Sequence, residues 1–398
     1  MTAEPRFIQI HTLHTYPAAL LNRDDAGLAK RLPLGGAVRT RISSQCLKRH
    51  WRVTDDPFAL SGLNVPMAVR SRGTLDLIRK EIAKQDIPEG LAQAAAESLR
   101  DGGLLDTAGK QRRGEDALRT GQAVLMGRAE IDYLVRRCSE LAGEHQDDAA
   151  LRAAVLQMLK AEKANITALK HGSGLESALF GRMVTSDVLA SRDASVYVSH
   201  AFTVHEAQVE NDYFTVVDDL LRESGELGSA GIFDSELASG LYYGYVVVDV
   251  RQLVENLEGI RASECFAEGT PPERRTLAGQ VVQRLLHLIA TVSPGAKRGS
   301  TAPFDWAKLM LVEAGDLQPR SLAGAFLDPL PLKGAAGSIR ERAAARLSAE
   351  IRAMDEAYGA PLTRRLMSLD EVDFPQAERM SLPQLADWTA QIIEQGTC

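Results

Sequence analysis

The chain has few cysteines for its length. Four occur among its 398 residues, at Cys46, Cys138, Cys265 and Cys398, and no two of them form a C-x-x-C pair. Such spacing predicts neither a zinc site nor a disulfide framework. It is typical of a protein that works in a reducing cytoplasm.

Targeting signals and long apolar runs are also missing. The opening "MTAEPRFIQIHTLHTYP" has neither the basic start nor the apolar stretch of a signal peptide. The apolar stretch "VVQRLLHLIATV" is interrupted by Arg284 and His287, so it is a poor membrane span. We therefore expect a cytoplasmic protein without a membrane partner.

The familiar catalytic motifs are absent as well. The sequence contains no G-x-S-x-G, no H-E-x-x-H and no phosphate-binding P-loop. The acids Asp24 and Asp25 could together hold Mg²⁺, but adjacent acids on a loop are commonly solvated or paired with a neighbour such as Arg23. We expect no catalytic residue, no metal and no cofactor.

Positive charge is in deficit overall but concentrated in one place. The chain carries 46 Lys and Arg against 53 Asp and Glu, a formal net charge of −7, which argues against general affinity for nucleic acid or membranes. Yet "VRTRISSQCLKRHWR", residues 38–52, holds five Lys or Arg and no acid. A solvated helix face is one interpretation of such a cluster. Its occurrence in an acidic chain favours an anion-binding site.

This basic stretch predicts a strand followed by a helix. "VRTRI" alternates as strands do, which puts Arg39 and Arg41 on the same side. The helix begins with Ser43 or Ser44 as N-cap and has no capping box. Free N–H groups in its first turn add a partial positive charge. Four of its polar side chains share one face, at Gln45, Lys48, Arg49 and Arg52.

Two loops could add to the site. "GAKRG" places Lys297 and Arg298 between glycines, where the backbone can approach a phosphate, although a plain surface turn would look the same. "FGRMVTS" pairs Arg182 with Met183. A methionine there could cap a base, but methionine more often fills a core.

Residues 194–220 are predicted to form a long hairpin or a protruding loop. The segment alternates like a strand on both sides of the polar "EAQVEND". Tyr213 and Phe214 follow that polar stretch directly. They could stack on nucleotides, or they could be the foot of the hairpin packed on the body.

The order of elements predicts an α+β fold. A strand at 6–16 and the basic strand and helix precede an Ala- and Leu-rich helical insertion from about 59 to 165. "HGSGLESALFGRMVTSD" then has the composition of a loop. "GLYYGYVVVDV", residues 240–250, predicts a central strand.

The remaining third predicts a core helix at 271–292, a last strand at 308–314 and a helical tail from about 338. Strand, helix, insertion, hairpin, strand, helix and strand together suggest a ferredoxin-like or RNA-recognition-motif core with large insertions.

Five stretches point to a known family when they are taken together. They are "LNRDDAGLAKRLPLGG", "RTRISSQCLKRHWR", "FGRMVTSD", "VSHAFTVHEAQVENDYFTVVDDL" and "PGAKRG". In this combination the chain resembles the CasC family, the backbone subunit of the type I-E CRISPR Cascade surveillance complex. The resemblance covers roughly residues 5–310.

The resemblance implies a hand-like α+β protein: a modified RNA-recognition-motif (ferredoxin-like) palm, a helical fingers insertion and a protruding β-hairpin thumb. Its implied limits are palm at 1–57 and 181–198, fingers at 58–180, thumb at 199–228, and palm again at 229–398 with a helical C-terminal region.

The resemblance also implies a binding role without catalysis. Several copies would line up along the spacer of one CRISPR RNA. Each thumb would displace a nucleotide, leaving short segments open to pair with target DNA in antiviral defence. The implied partners are CRISPR RNA, other copies of the chain, other Cascade subunits and the target DNA strand. Such a filament must hold any spacer, so it should grip the RNA backbone.

Carried over by position, the resemblance assigns RNA contacts to four groups of residues. The basic stretch and the loop before it would hold the RNA backbone, chiefly through Lys30, Gln45, Lys48 and Arg52. Met183 would lie against a base, and the 295–299 loop would approach phosphates. The full predicted RNA-binding set is Arg23, Lys30, Arg39, Arg41, Ser43, Ser44, Gln45, Lys48, Arg49, Arg52, Arg182, Met183, Thr203, His205, Tyr213, Phe214, Lys297 and Arg298.

The thumb is the place where the chain departs from the family. The family has a Trp–Phe pair there, whereas this chain has Tyr213 and Phe214. Tyrosine also stacks on bases, so the role is retained. Thr203 and His205 would stand on the other limb of the thumb.

Two other functions stay open from the sequence. One is a metal-dependent ribonuclease of a related backbone type that uses Asp24 or Asp25, whose cleavage EDTA would abolish. The other is an anion-binding or assembly protein whose basic helix meets an acidic partner. Failure to bind RNA would favour the second.

Overall fold

The structure is a computed structural model, and two compact units make up the chain. It describes residues 3–63, 65–105, 117–168, 173–182, 191–217, 229–334, 336–359 and 362–398. The first unit comprises residues 1–60, 197–250 and 275–398, and the second comprises 61–196 and 251–274.

The strands are numbered in chain order. They are β1 Phe7–Ala19, β2 Arg31–Leu34, β3 Ala37–Ile42, β4 Val69–Ser71, β5 Val124–Met126, β6 Val196–Val198, β7 Ala201–Thr203, β8 Gln208–Val217, β9 Ser229–Asp249, β10 Leu309–Gly315, β11 Thr363–Ser368 and β12 Ala377–Arg379.

The helices are numbered in the same way. They are α1 Ser44–Val53, α2 Thr74–Ala83, α3 Glu89–Asp101, α4 Arg128–Glu144, α5 Asp148–Ala161, α6 Lys163–Ala168, α7 Leu175–Phe180, α8 Val250–Glu258, α9 Glu273–Thr291, α10 Arg298–Thr301, α11 Ile339–Tyr358 and α12 Leu382–Gln395. Within the described residues, no helix is both long enough and apolar enough to cross a membrane.

A large sheet organises the first unit. Its strand order is β12–β11–β10–β1–β9–β7–β3–β2, and β8 pairs with the first part of β9. Neighbouring strands run antiparallel, apart from the parallel pair β11–β12. The mixed α+β fold is therefore confirmed, and β9 is central as its run of β-forming residues predicts.

The two faces of the sheet bury different helices, because successive side chains of a strand point to opposite sides. On one face, Leu13 and Tyr243 share a core with Leu347 of α11. On the other, Tyr16 and Tyr242 share a smaller core with α1. That second face carries the basic helix.

A charged network is buried inside the first unit. Glu313 of β10 accepts hydrogen bonds from Arg364 at 2.6 Å and Arg320 at 2.6 Å, and its Oε2 lies 3.2 Å from His11 Nε2. Burial alone would raise the pKa of Glu313, yet the bonds from His11 and Arg320 hold it well below its usual range. Desolvation lowers the pKa of His11, so its imidazole is neutral at pH 7.

The second unit is mainly helical. Apolar side chains from α2, α4 and α5, including Ile78, Ile131 and Leu151, form one core. A buried ion pair joins Arg182 to Glu130 at 2.6 Å, with side chains only 1% and 0% exposed. The Ala- and Leu-rich insertion predicted between about 59 and 165 is thus helical, with the short β4–β5 pair added.

Two sequence predictions of secondary structure need correction. A short helix, α7, replaces part of the predicted loop "HGSGLESALFGRMVTSD". The strand β10 is not the last, since β11 and β12 interrupt the tail that was expected to be helical. The predicted limits of palm, fingers and thumb stay a prediction.

The hairpin lies further along the chain than the polar "EAQVEND" suggests. Its first strand, β8, contains most of that stretch. The partner is the first part of β9, which pairs with β8 from Gln208 opposite Ser239 to Val217 opposite Ser229, with a register shift between Val216 and Val217. The limb opposite Tyr213 is therefore formed by residues 229–239.

Candidate nucleic-acid interface

The N-terminus of α1 is fixed by side chains from three segments. Ser43 is the N-cap, and its Oγ accepts from the amide of Cys46 at 3.3 Å. The Ser43 amide donates to Asn22 Oδ1 at 2.9 Å, and the Ser44 amide donates to His200 Nδ1 at 2.9 Å. The helix start is thus held in one position on the sheet.

The two faces of α1 match the sequence prediction. Trp51 is 3% exposed, and Leu47 packs against the core that contains Ile42. Gln45 and Arg49 are exposed, whereas Lys48 and Arg52 are half-buried. Burial lowers the pKa of the Lys48 amine. This amphipathic arrangement leaves the cationic edge of the helix accessible.

Cations from other segments lie around this helix. Burial raises the pKa of the Cys46 thiol, while the nearby charges of Lys30, Arg49 and Arg298 act in the opposite direction. Arg298 and Arg49 also help to lower the pKa of His50, after burial. Residues distant in sequence are therefore brought together at α1.

Lys30 and Arg41 extend the same cluster. The Lys30 amide donates to the Asn22 carbonyl at 2.9 Å, and its own carbonyl accepts from the Arg41 amide at 2.8 Å. Both cations contribute to a lowered pKa of His200, again after burial. We call the set Lys30, Arg41, Lys48, Arg49, Arg52, Lys297 and Arg298 the basic surface.

The predicted loop with Lys297 and Arg298 contains the short helix α10, which begins at Arg298, and it is tied to the sheet. The Ala296 amide donates to the Leu20 carbonyl at 2.9 Å. Lys297 Nζ donates to Ser235 Oγ at 2.9 Å, and Arg298 Nη2 donates to the Ser293 carbonyl at 2.8 Å. The arginine is exposed. The sequence left open whether this segment is only a surface turn. In the structure it lies beside the basic helix α1.

Arg39 does not share the exposed position of this cluster. Its side chain is fully buried, and its guanidinium donates to the carbonyls of Thr203 at 2.9 Å, Phe326 at 2.9 Å and Leu327 at 3.3 Å. Arg41, two residues further on, is half-buried, and its Nε donates to the Arg31 carbonyl at 3.2 Å. Of the two strand arginines, Arg41 is therefore the more accessible.

Thr203 and His205 are also buried. Thr203 Oγ1 donates to the His205 carbonyl at 2.8 Å. The His205 ring donates from Nδ1 to the Glu206 carbonyl at 2.7 Å and accepts the Leu241 amide at Nε2, at 3.1 Å. Desolvation lowers its pKa, consistent with this neutral form. These residues lie at the foot of the hairpin, not on the limb opposite Tyr213.

The hairpin exposes an aromatic side chain of the predicted set. Tyr213 is 65% exposed and lies opposite Asp234. Phe214 follows it, with its backbone opposite that of Phe233. Tyr213 is therefore accessible to a ligand.

The other predicted residues are placed as follows. Arg182 forms the buried pair in the second unit, and Met183 lies outside the described residues. Arg23 is exposed. Asp24 Oδ1 accepts the amides of Ala26 at 3.0 Å and Leu28 at 2.9 Å, which closes a turn. In the part of the chain that the structure describes, no three His, Cys, Asp or Glu side chains cluster as a metal site would require.

Sequence reasoning missed several residues at this surface. Asn22 and His200 hold α1, but nothing local in the sequence shows that their partners are Ser43 and Ser44. Phe304 and Trp306 stand 70% and 71% exposed after α10. The signal that could have found this pair is "PFDWAK", two aromatics directly after the Gly-rich basic loop.

Comparison with known proteins gives a family and similar structures. The family model described as CT1975-like protein matches residues 8–391. The chain therefore belongs to the family of CT1975-like proteins. No match to the chain was found among curated protein sequences.

Two solved structures are similar over nearly the whole chain. One is described as "CRISPR RNA-guided surveillance complex, pre-nicking", with 27% identity and a TM-score of 0.77, covering 97% of this chain and 100% of that one. The other is described as "CRISPR RNA-guided surveillance complex", with 25% identity and a TM-score of 0.67, covering 97% and 99%.

Proposed function

We propose that the chain is the CRISPR RNA-binding backbone subunit of a Cascade-type surveillance complex, of type I-E, in the cytoplasm. Several copies bind one guide RNA together with other Cascade subunits. They leave segments of the guide free to pair with target DNA. The family and the similarity to chains of CRISPR RNA-guided complexes support this assignment.

The observation that carries the proposal is the convergence of the basic surface. Segments around residues 30, 41, 48 and 298 bring their cations together at α1, although the chain as a whole has a net charge of −7. A phosphodiester backbone is a row of negative charges that such a surface neutralises. The negative remainder of the chain would limit adhesion to unrelated nucleic acid.

The chemistry of the surface supports recognition without sequence preference. Lysine and arginine side chains and the first turn of α1 suit phosphates and sugars. A guide carrier must accept every spacer, so contacts to the backbone meet this requirement. We place Arg39, Arg182, Thr203 and His205 outside the direct contacts, because each is buried and hydrogen-bonded within the protein.

The β8–β9 hairpin is proposed as the thumb. Its exposed Tyr213 would insert beside the RNA and displace a nucleotide, as the resemblance to CasC implies. The first unit would supply the palm and the helical second unit the fingers.

We propose no catalytic step. The ribonuclease alternative relies on Asp24 and Asp25, but Asp24 uses its carboxylate to close a turn. The alternative of an anion-binding or assembly protein would use the same basic surface. The length and the chemical identity of the bound ligand therefore distinguish it from the proposed function.

Photo-crosslinking tests the proposal. The full chain is mixed with single-stranded RNA that carries 4-thiouridine, irradiated and digested, and the crosslinked peptides are identified. We expect crosslinks within residues 22–54 and 293–306, at equal yield for two RNAs of unrelated sequence. Crosslinks confined to other segments, or none at all, would contradict the proposed RNA path.

A further inference from the structure

Two exposed aromatic residues lie next to the basic surface. Phe304 and Trp306 are 70% and 71% exposed, in a chain whose aromatic content is only 5%. Large aromatic rings contribute most when they are buried or when they contact a ligand. Two such rings close together form an exposed apolar patch, and patches of this kind mark binding sites.

The segment that carries the two rings is firmly anchored by the residue between them. The Asp305 side chain is 12% exposed, and its Oδ2 accepts the Thr15 amide at 2.7 Å. Its Oδ1 forms an ion pair with Lys308. Ser293 Oγ donates to the Asp305 carbonyl at 3.0 Å and accepts the Asp305 amide at 2.8 Å. The rings are therefore exposed on a fixed support.

The pattern of exposure indicates that the two rings share a side. Phe304 and Trp306 are exposed and the side chain of Asp305 between them is largely covered, which is the alternation of an extended segment, where residues two apart share a side. A ligand that reached one ring could therefore continue to the other. Because the support is already ordered, little conformational entropy is lost on binding.

The basic surface borders this pair. The guanidinium carbon of Arg298 lies 6.0 Å from the centre of the Phe304 ring, a cation–π contact. The same Arg298 donates to the carbonyl of Ser293, whose hydroxyl holds Asp305. A phosphate bound at Arg298 would thus bring its attached base beside Phe304.

We infer that Phe304 and Trp306 form a stacking site for unpaired nucleobases of the single strand that the basic surface binds. The inference rests on the proposed RNA-binding function and adds a place where bases are held. A second copy of the chain is the less favoured occupant. Two rings bury about 150–250 Å² each, or about 300–500 Å² together, which is below the roughly 800 Å² that each partner buries in a standard protein interface.

The test compares two ligands of equal charge. Binding of the full chain is measured with a short single-stranded RNA and with a strand of the same length in which abasic sites replace the bases. Phe304→Ala and Trp306→Ala should each weaken binding of the base-bearing strand by about tenfold and leave binding of the abasic strand unchanged. The salt dependence should not change, because no phosphate contact is lost.

Tyr358→Ala is the matched control, since Tyr358 is 84% exposed at the end of α11. It should bind both strands like the unaltered chain. Thermal unfolding of every variant separates a loss of folding from a loss of stacking. Quenching of Trp306 fluorescence by the base-bearing strand, absent in Trp306→Phe and with the abasic strand, provides a second measurement.

Three results would overturn the inference. Equal weakening on both strands would show that the rings do not contact bases. Unchanged binding of the short strand, with fewer copies on a long RNA, would assign the rings to contact between copies. If the unaltered chain bound neither strand, the proposed function itself would fail.

Discussion

The amide of Ser44 donates to Nδ1 of His200 at 2.9 Å, which joins the first turn of α1 to a residue 156 positions away. An accepting ring nitrogen must be unprotonated, and burial followed by the charges of Arg41 and Lys30 lowers the pKa of His200 accordingly. The helix that presents three of the seven cations of the basic surface is therefore fixed by a neutral histidine. The orientation of its cations follows from this contact.

Removing two cations of α1 should weaken RNA binding in a salt-dependent way. In the double variant Lys48→Ala with Arg52→Ala, the slope of log affinity against log salt should flatten by about 0.7 for each lost phosphate contact. All RNA sequences should be affected alike. The control is Lys333→Ala with Arg352→Ala, which removes equal charge outside the basic surface. A sequence-selective loss would contradict backbone gripping.

Truncating the exposed aromatic of the hairpin should affect RNA and not folding. Tyr213 is 65% exposed, so Tyr213→Ala should leave the unfolding temperature nearly unchanged. Any regular spacing of the nuclease-sensitive positions along the bound RNA should disappear, because the variant no longer displaces nucleotides. Tyr213→Phe, which keeps the ring, is the control. A large drop in unfolding temperature would instead assign Tyr213 to the core.

Replacing Arg39 should mainly affect the stability of the fold, whereas replacing Arg41 should mainly affect RNA binding. Arg39→Ala leaves buried carbonyls of Thr203 and Phe326 without their donor, so we expect a loss of about 3 kcal/mol or more in the free energy of unfolding. Arg41→Ala should cost little stability but weaken RNA binding. Urea unfolding and RNA titration of both variants check this. If Arg39→Ala weakened RNA binding without a loss of stability, Arg39 would be a direct RNA contact after all.

Stability should fall as the pH drops below the ordinary pKa of histidine. Burial lowers the pKa of His11 from 6.5, so just below pH 6.5 the unfolded chain binds a proton that the folded chain does not. The contribution of neutral His11 to stability is complete above pH 6.5 and declines as the pH falls toward the pKa of His11 in the folded chain. The pKa of Glu313, also lowered, acts in the same direction below its ordinary 4.5.

The variant His11→Gln isolates this proton. Its free energy of unfolding should depend on pH less steeply just below pH 6.5, by up to about 1.4 kcal/mol per pH unit. Urea unfolding at a series of pH values provides the measurement, and the unaltered chain is the reference. An unchanged slope would show that the pKa of His11 is the same in the folded and the unfolded chain.

Much of the fold could be predicted because local signals agree with it. β1 and the second part of β9 are runs of β-forming residues, and α1 has a serine cap and an apolar side. β11 could not be recognised, because "TRRLMS" carries two arginines. Its Arg364 can be buried because the guanidinium pairs with Glu313 and Asp355. Such a partner, 51 positions away, is invisible in the sequence.

The cations of the candidate site could be predicted from the sequence, but the packing of its residues could not. The helical spacing identified the face of Lys48, Arg49 and Arg52, because it depends only on local geometry. The burial of Arg39 depends on carbonyls at residues 203, 326 and 327. The exposure of Phe304 and Trp306 depends equally on contacts of Asp305 with distant segments.

The most direct test of the central claim is the nucleic acid that accompanies the protein. The tagged chain is co-expressed with a CRISPR array and the neighbouring subunits and purified in moderate salt. Bound nucleic acid is then run on a denaturing gel beside a mass measurement of the assembly. Our account predicts one discrete RNA with several copies of this chain. A heterogeneous smear with a monomeric protein, or no RNA, would contradict it.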